Sequence, residues 1–233
     1  MIWIYIIIGI FVVGLIISAT CYGRLKRLCK KYERYQTSLN LTGSEFINRS
    51  INILNLKSHY AVNGGEFSDK YLIKHDVIVL SDNTANSMSL TAISIASHEL
   101  GHAMQRNKNS ALLYINSHMS IISRISEFLL LPVIVAGLVL LLFSSTFDAG
   151  VILLYTAVCF WVATIIYRLL TIPLEFNASK LATKYLTELD IMSNQEIKMA
   201  KKIMSAAAFT YVGSLFINLL KFLKMFFGSF SRK

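Results

Sequence analysis

Charge is what this chain has least of. Only 15% of its 233 residues are charged, against roughly 25% in a typical soluble domain, while 55% are hydrophobic. The mean hydropathy is positive. That balance excludes an ordinary soluble globular protein. Segments 1–23, 128–147, 149–167 and 203–220 carry no charged residue at all. Three of them are near or above the about 20 residues needed to cross a bilayer, and the last is marginal, so three to four spans are expected.

Cysteine is scarce too. Cys21, Cys29 and Cys159 are odd in number and scattered, which excludes a disulfide framework, and none has zinc-ligand spacing. The N-terminus lacks the basic n-region of a secretory signal, and its apolar stretch is too long for a signal core. Ser18 to Cys21 faintly resembles a lipoprotein cleavage site, but Thr20 is a poor residue before the cysteine. A retained anchor is the expectation.

Acidic residues are outnumbered, 13 against 23 basic ones, for a net charge of +10. No nucleic-acid motif accompanies this excess. Arg24, Lys26, Arg27, Lys30, Lys31 and Arg34 instead crowd behind the first apolar segment, where the positive-inside bias and anionic headgroups would put them. By that rule 24–127 faces the cytoplasm, the acidic turn around Asp148 lies outside, and Arg168, Lys180 and Lys184 return to the cytoplasm. Lys221, Lys224, Arg232 and Lys233 would then sit outside if 203–220 spans, so that stretch is also readable as re-entrant or interfacial.

Between these segments the pattern turns local. A helix through the basic run is expected to end near Ser38 to Asn40. Thr42 and Glu45 form a capping-box signal for a helix over 43–54, and Asn63, Gly64 and Gly65 mark a turn. His75 to Leu80 is short and rich in β-branched residues, predicting a strand that ends at Ser81 to Asn83. From Ser89 to Gln105 the apolar spacing is helical, with Ser87 or Ser89 as N-cap. Pro173 suits the first turn of another helix, which would put Glu175, Ser179 and Ala182 on one face, with Ala178 and Ala182 leaving room for a close neighbour. Ser193 with Glu196 opens a last long helix.

The informative residues stand in the last turns of the Ser89–Gln105 helix: His98, Glu99, Leu100, Gly101 and His102. Residues four apart on a helix share a face, so the two imidazoles can address one cation. Glu99 points about 100° away, beside such an ion rather than onto it, where it can accept a proton from water. A catalytic zinc usually takes a third protein ligand. His59, His75, His118 and Glu127 are available, but Glu175 is preferred for its small neighbours, its lack of a basic partner at i+4 and its place beside the third span. Taken alone, Glu175 reads equally as an interfacial glutamate reaching for water.

These residues carry a resemblance. ASHELGHAMQ at 96–105, IPLEFNAS at 172–179, LTGSE at 41–45, FSDKY at 67–71 and AAAFTYVGSL at 206–215 resemble the gluzincin zinc metallopeptidases, specifically the small membrane-bound YugP-like group. The resemblance implies a zinc peptidase with His98, His102 and Glu175 as ligands and Glu99 as general base. Family members usually have aspartate at the position of Asn177, and many gluzincins have an acid at that of Ser179, so Ser179, Asn177 or a backbone carbonyl is left to orient the histidines. Tyr60, Tyr71, His75 and His118 are candidate donors to the oxyanion, and the 76–81 strand could align an extended substrate by edge pairing.

The expected fold is therefore mainly α: a multi-pass α-helical cell-membrane protein with a small cytoplasmic gluzincin-like α+β region. Residues 1–23 form an anchor, 24–127 the peptidase region, 128–170 a transmembrane hairpin, 171–202 cytoplasmic helices with the third ligand, and 203–233 a fourth apolar helix with a basic tail. Its partners are a peptide or protein substrate and membrane lipid, with Zn2+ as cofactor. An intramembrane protease would carry its motif inside a spanning helix, whereas Asp82, Asn83, Arg106 and Lys108 bracket this one. A non-catalytic scaffold or channel component would not need Glu99.

Overall fold

The computed structural model describes residues 2–65 and 68–230. Phe67, Arg232 and Lys233, the side chains of Lys221 and Lys224, and most side chains of the first eleven residues lie outside that description. The chain is mainly helical with one small sheet. In order it forms α1 (Ile2–Glu33), α2 (Gly43–Ile53), β1 (His59–Asn63), β2 (Lys70–Leu72), β3 (Val77–Ser81), α3 (Asp82–Asn86), α4 (Leu90–Asn107), α5 (Ala111–Leu140), α6 (Phe147–Glu188) and α7 (Asn194–Phe230), with a 3₁₀ turn at Ser144–Thr146.

Local signals set several boundaries where expected. Thr42 and Glu45 make the reciprocal capping box that starts α2, and Ser193 with Glu196 does the same for α7. Glu196 also accepts from the backbone and hydroxyl of Ser38, at 2.7 and 2.8 Å, tying the start of α7 to the chain after α1. Helix α1 ends at Glu33, short of the expected Ser38 to Asn40. The reason is tertiary: Tyr35 and Thr37 spend their backbone groups on Leu90 and Met88, in a short antiparallel bridge with the segment before α4.

In the sheet, order β1-β3-β2, β3 pairs parallel with β1 and antiparallel with β2. The strand legible from its β-branched residues is thus the central one. Both of its edges are taken, which corrects the expectation that it could pair with a substrate. The edge strands β1 and β2, and the short helix α3, have weak local patterns and were not expected.

A core of buried residues surrounds α4: Phe46 and Ile47 from α2, Ile78 and Leu80 from β3, and Leu186 and Met204 from α6 and α7 meet its Leu90, Ile93 and Leu100. Away from this core, Ala111–Leu140, Ser144–Glu188 and Asn194–Leu219 are each long and apolar enough to cross a membrane, by length and composition, among the described residues. Their outward faces carry large exposed apolar side chains such as Phe128, Leu131, Ile152 and Tyr155. In water such an apolar surface would be costly; in lipid it is solvated.

Candidate metal centre

The Ser89 hydroxyl accepts from the Ala92 N–H at 3.2 Å and so starts α4. In the packed helix Leu90, Ile93, Ala96 and Leu100 enter the core, and His98, Glu99 and His102 face α6 and a cavity beside it. Gly101 is in the contact. A Cβ there would lie 2.4 Å from the Ala178 carbonyl oxygen, so only glycine lets the two backbones approach this closely.

Helix α6 brings Glu175. Contrary to the expectation from its sequence context, Pro173 does not begin a helix; it lies inside the continuous 42-residue α6. A proline removes one backbone donor, yet the flanking turns and the packing of α6 on α4 keep the helix going. The consequence expected of the segment is nevertheless present. Glu175, Ala178, Ser179 and Ala182 are all buried, and Ala178 and Ala182 form the flat surface against which α4 lies.

Glu175 Oε2 sits 3.0 Å from His98 Nε2 and 3.7 Å from His102 Nε2. The three ligand atoms lie within 4.8 Å of one another. Each imidazole is held at its other nitrogen. His98 Nδ1 is 3.1 Å from Ser179 Oγ, and His102 Nδ1 is 2.9 Å from Gln105 Oε1. The Gln105 amide donates to the Leu174 carbonyl and to Asn177 Oδ1, both at 2.9 Å. Because its NH2 is committed to these acceptors, Gln105 presents its oxygen to His102, so His102 bears a proton on Nδ1 and directs Nε2 at Glu175.

Burial works against a charge on His102, but the Glu175 carboxylate beside it outweighs this and lifts its pKa to about 9. Burial pushes the Glu99 carboxyl above its ordinary range, against the opposing pull of His98 and His102. Glu99 is thus a stronger base than an exposed glutamate, an asset for taking a proton near neutral pH.

A cavity of about 210 Å3 opens on these groups, lined also by Asp69, Tyr71, Asn116, Leu174 and Tyr211. Of the four oxyanion candidates from the sequence, Tyr71 lines it, but its hydroxyl donates to Asp76 Oδ1 at 2.6 Å. Tyr60, His75 and His118 are exposed and do not line it. His59 lies on β1 away from the cavity, and Glu127 pairs with Arg168 at 2.9 Å. Tyr211 was missed: its hydroxyl interacts with Glu175 from α7. Gln105 was missed as well. The signals were thin, an amide three residues after His102 and a tyrosine inside AAAFTYVGSL.

Residues 5–229, which include this whole arrangement, match the sequence profile of the family described as "putative neutral zinc metallopeptidase". The chain belongs to this family. It is also 30% identical over 205 residues, 86% of each chain, to the "Putative membrane protease YugP" of Bacillus subtilis (strain 168). No solved structure matches it. For a zinc metallopeptidase of this family the donor set is chemically apt: two imidazoles whose Nδ1 atoms are already engaged, and one buried carboxylate, converging on a point open to a cavity.

Proposed function

We propose that this protein is a membrane-bound zinc metalloendopeptidase in which His98, His102 and Glu175 hold Zn2+ and Glu99 is the general base. The convergence of both Nε2 atoms and Glu175 Oε2, with Glu99 in the same cavity, carries this reading. Two histidines and a carboxylate leave a fourth position open, as a catalytic zinc requires. Bound there, zinc supplies a Lewis acid that acidifies water and polarises a carbonyl.

The remaining chemistry belongs to the chain. Glu99, buried and raised in basicity, accepts the proton of the attacking water and returns it to the departing amine. Gln105 holds His102 with its Nε2 turned to the ion, and Ser179 holds the His98 ring at Nδ1. Tyr211, whose hydroxyl interacts with Glu175 at the cavity wall, supplies that hydroxyl to the oxyanion of the tetrahedral intermediate. The substrate is a peptide or protein. Strand β2 leads into the cavity with one edge unpaired among the described residues, and an extended substrate can lie along it.

We place the centre on the cytoplasmic face. The basic residues behind the first apolar segment and those after Tyr167 support that orientation. Helix α4 is half polar and is not one of the apolar helices long enough to span, which favours a site at the membrane surface over one within the bilayer.

Purified protein should carry one zinc per chain, and Glu99→Gln should keep that zinc while losing peptide cleavage. Full cleavage by Glu99→Gln would refute the mechanism. Cysteine labelling at Ser145 should succeed from outside, whereas labelling at Asn107 should need permeabilised cells. The reverse pattern would overturn the orientation.

A further inference from the structure

A second cavity, of about 370 Å3, lies between α5 and α6 and is lined by Ser120, Ser123, Arg124, Glu127, Tyr167 and Arg168. It is separate from the metal centre. Arg168 precedes Glu175 by two helical turns, about 10 Å along α6. Between the two cavities stands a buried polar pair, in which Asn116 Nδ2 donates to Thr171 Oγ1 at 2.8 Å. The peptidase chemistry makes no use of the second cavity.

Its charges do not balance. Glu127 Oε1 accepts from Arg168 Nη2 at 2.9 Å, which offsets one of the two guanidinium charges. Arg124 is exposed and makes no hydrogen bond or ion pair among the described residues. Arg168 itself is short of acceptors. Its Nη1 reaches only Ser214 Oγ, at 3.5 Å, and its buried Nε has no partner. A guanidinium has five N–H donors, and leaving them unpaired away from bulk water is costly. Ser120 and Ser123 add hydroxyls to the same wall. The set is a donor-rich, singly positive pocket flanked by exposed apolar side chains.

We propose that this pocket binds a phosphate group. Arginine pairs and hydroxyls suit phosphate oxygens, which accept two parallel N–H bonds from a guanidinium. The surroundings point to the headgroup of an anionic phospholipid. Ile122, Ile125 and Phe128 on α5, with Ile166 and Leu169 on α6, are exposed apolar residues flanking the charged residues, a surface along which acyl chains can lie. A lipid held there would brace α5 against α6 two turns from the residue that brings Glu175 to the histidines.

The test uses the full-length protein in micelles of a neutral detergent, with bound adducts counted by native mass spectrometry and melting followed by intrinsic fluorescence. Phosphatidylglycerol should bind at one per chain and raise the melting temperature, and diacylglycerol with the same acyl chains should do neither. Arg124→Gln should weaken phosphatidylglycerol binding about tenfold or more, the loss expected for a hydrogen bond to a charged group. Arg168→Gln also breaks the ion pair with Glu127, so the decision rests on Arg124→Gln, since the Arg124 guanidinium has no partner among the described residues. Inorganic phosphate forms the second arm: if it stabilises wild type and not Arg124→Gln, the phosphate site stands and its source is a soluble anion. Equal binding of diacylglycerol, or wild-type phosphatidylglycerol binding by Arg124→Gln, overturns the proposal.

Discussion

Gly101 and Ala178 meet where α4 crosses α6, so closely that a Cβ on Gly101 would stand 2.4 Å from the Ala178 carbonyl oxygen. This contact sets the distance between the two histidines on one helix and the glutamate on the other. Gly101 lies one residue before His102, and Ala178 three after Glu175. Backbone proximity here is therefore part of the candidate metal centre itself.

Gly101→Ala should push the helices apart and cost about 1–3 kcal/mol, the usual range for forcing extra volume into a packed contact. The same change moves Glu175 from the histidines, so zinc affinity should fall along with the melting temperature. Melting with and without zinc measures both. Unchanged zinc affinity would mean that α6 does not depend on this crossing for its position.

Glu175→Ala should lower zinc affinity by at least the ~10–100-fold typical of losing even an outer partner of a metal site. Gln105→Ala should fall within that range by freeing the His102 ring, whereas Asn177→Asp, which keeps an oxygen for the Gln105 amide, should stay close to wild type. Competition against a zinc-binding dye ranks the three. A Gln105→Ala protein that binds zinc like wild type would show that His102 needs no hydrogen bond to stay oriented.

Tyr211→Phe should retain zinc and lose about 10²-fold or more in kcat with little change in KM, as for removal of one oxyanion donor. Steady-state kinetics on a fluorogenic peptide separates the two constants. A loss confined to KM would assign Tyr211 to substrate binding.

The zinc-free site has a pH signature. The pKa of His102 is lifted to about 9 by Glu175, so its imidazolium form predominates at neutral pH, and the resulting stabilisation is complete below about pH 6.5 and lost as pH rises through 9. Metal binding requires the neutral ring, so zinc uptake at pH 7 should expel a proton and apparent affinity should rise with pH towards 9. Calorimetry in buffers of differing ionisation enthalpy reads the proton count. Uptake without proton release would show that His102 is neutral before the ion arrives.

Much of this protein is legible without its structure because the signals are local. Apolar runs report helices that avoid water, Thr42 with Glu45 and Ser193 with Glu196 report helix starts, and the spacing of His98 and His102 reports a shared face. Glu175 was identifiable from its small neighbours, since Ala178 and Ala182 allow an approach that larger residues would block. The failures have a common cause. The end of α1, the edge strands and the passage of α6 through Pro173 are set by distant partners, whose contacts outweigh weak local preferences.

The sequence by itself determined that the chain is a helical, lipid-compatible protein carrying an HExxH motif with one well-placed glutamate far along the chain. Only the tertiary structure decided that Gln105 and Ser179 hold the two imidazoles, that Tyr211 rather than Tyr60, His75 or His118 faces the centre, and that β3 lies between two strands. Periodicity and capping act within a few residues, so they can be read along one line. Hydrogen bonds between α4, α6 and α7 depend on how those helices are rotated and how near they come, and that is settled by packing at contacts such as Gly101 against Ala178.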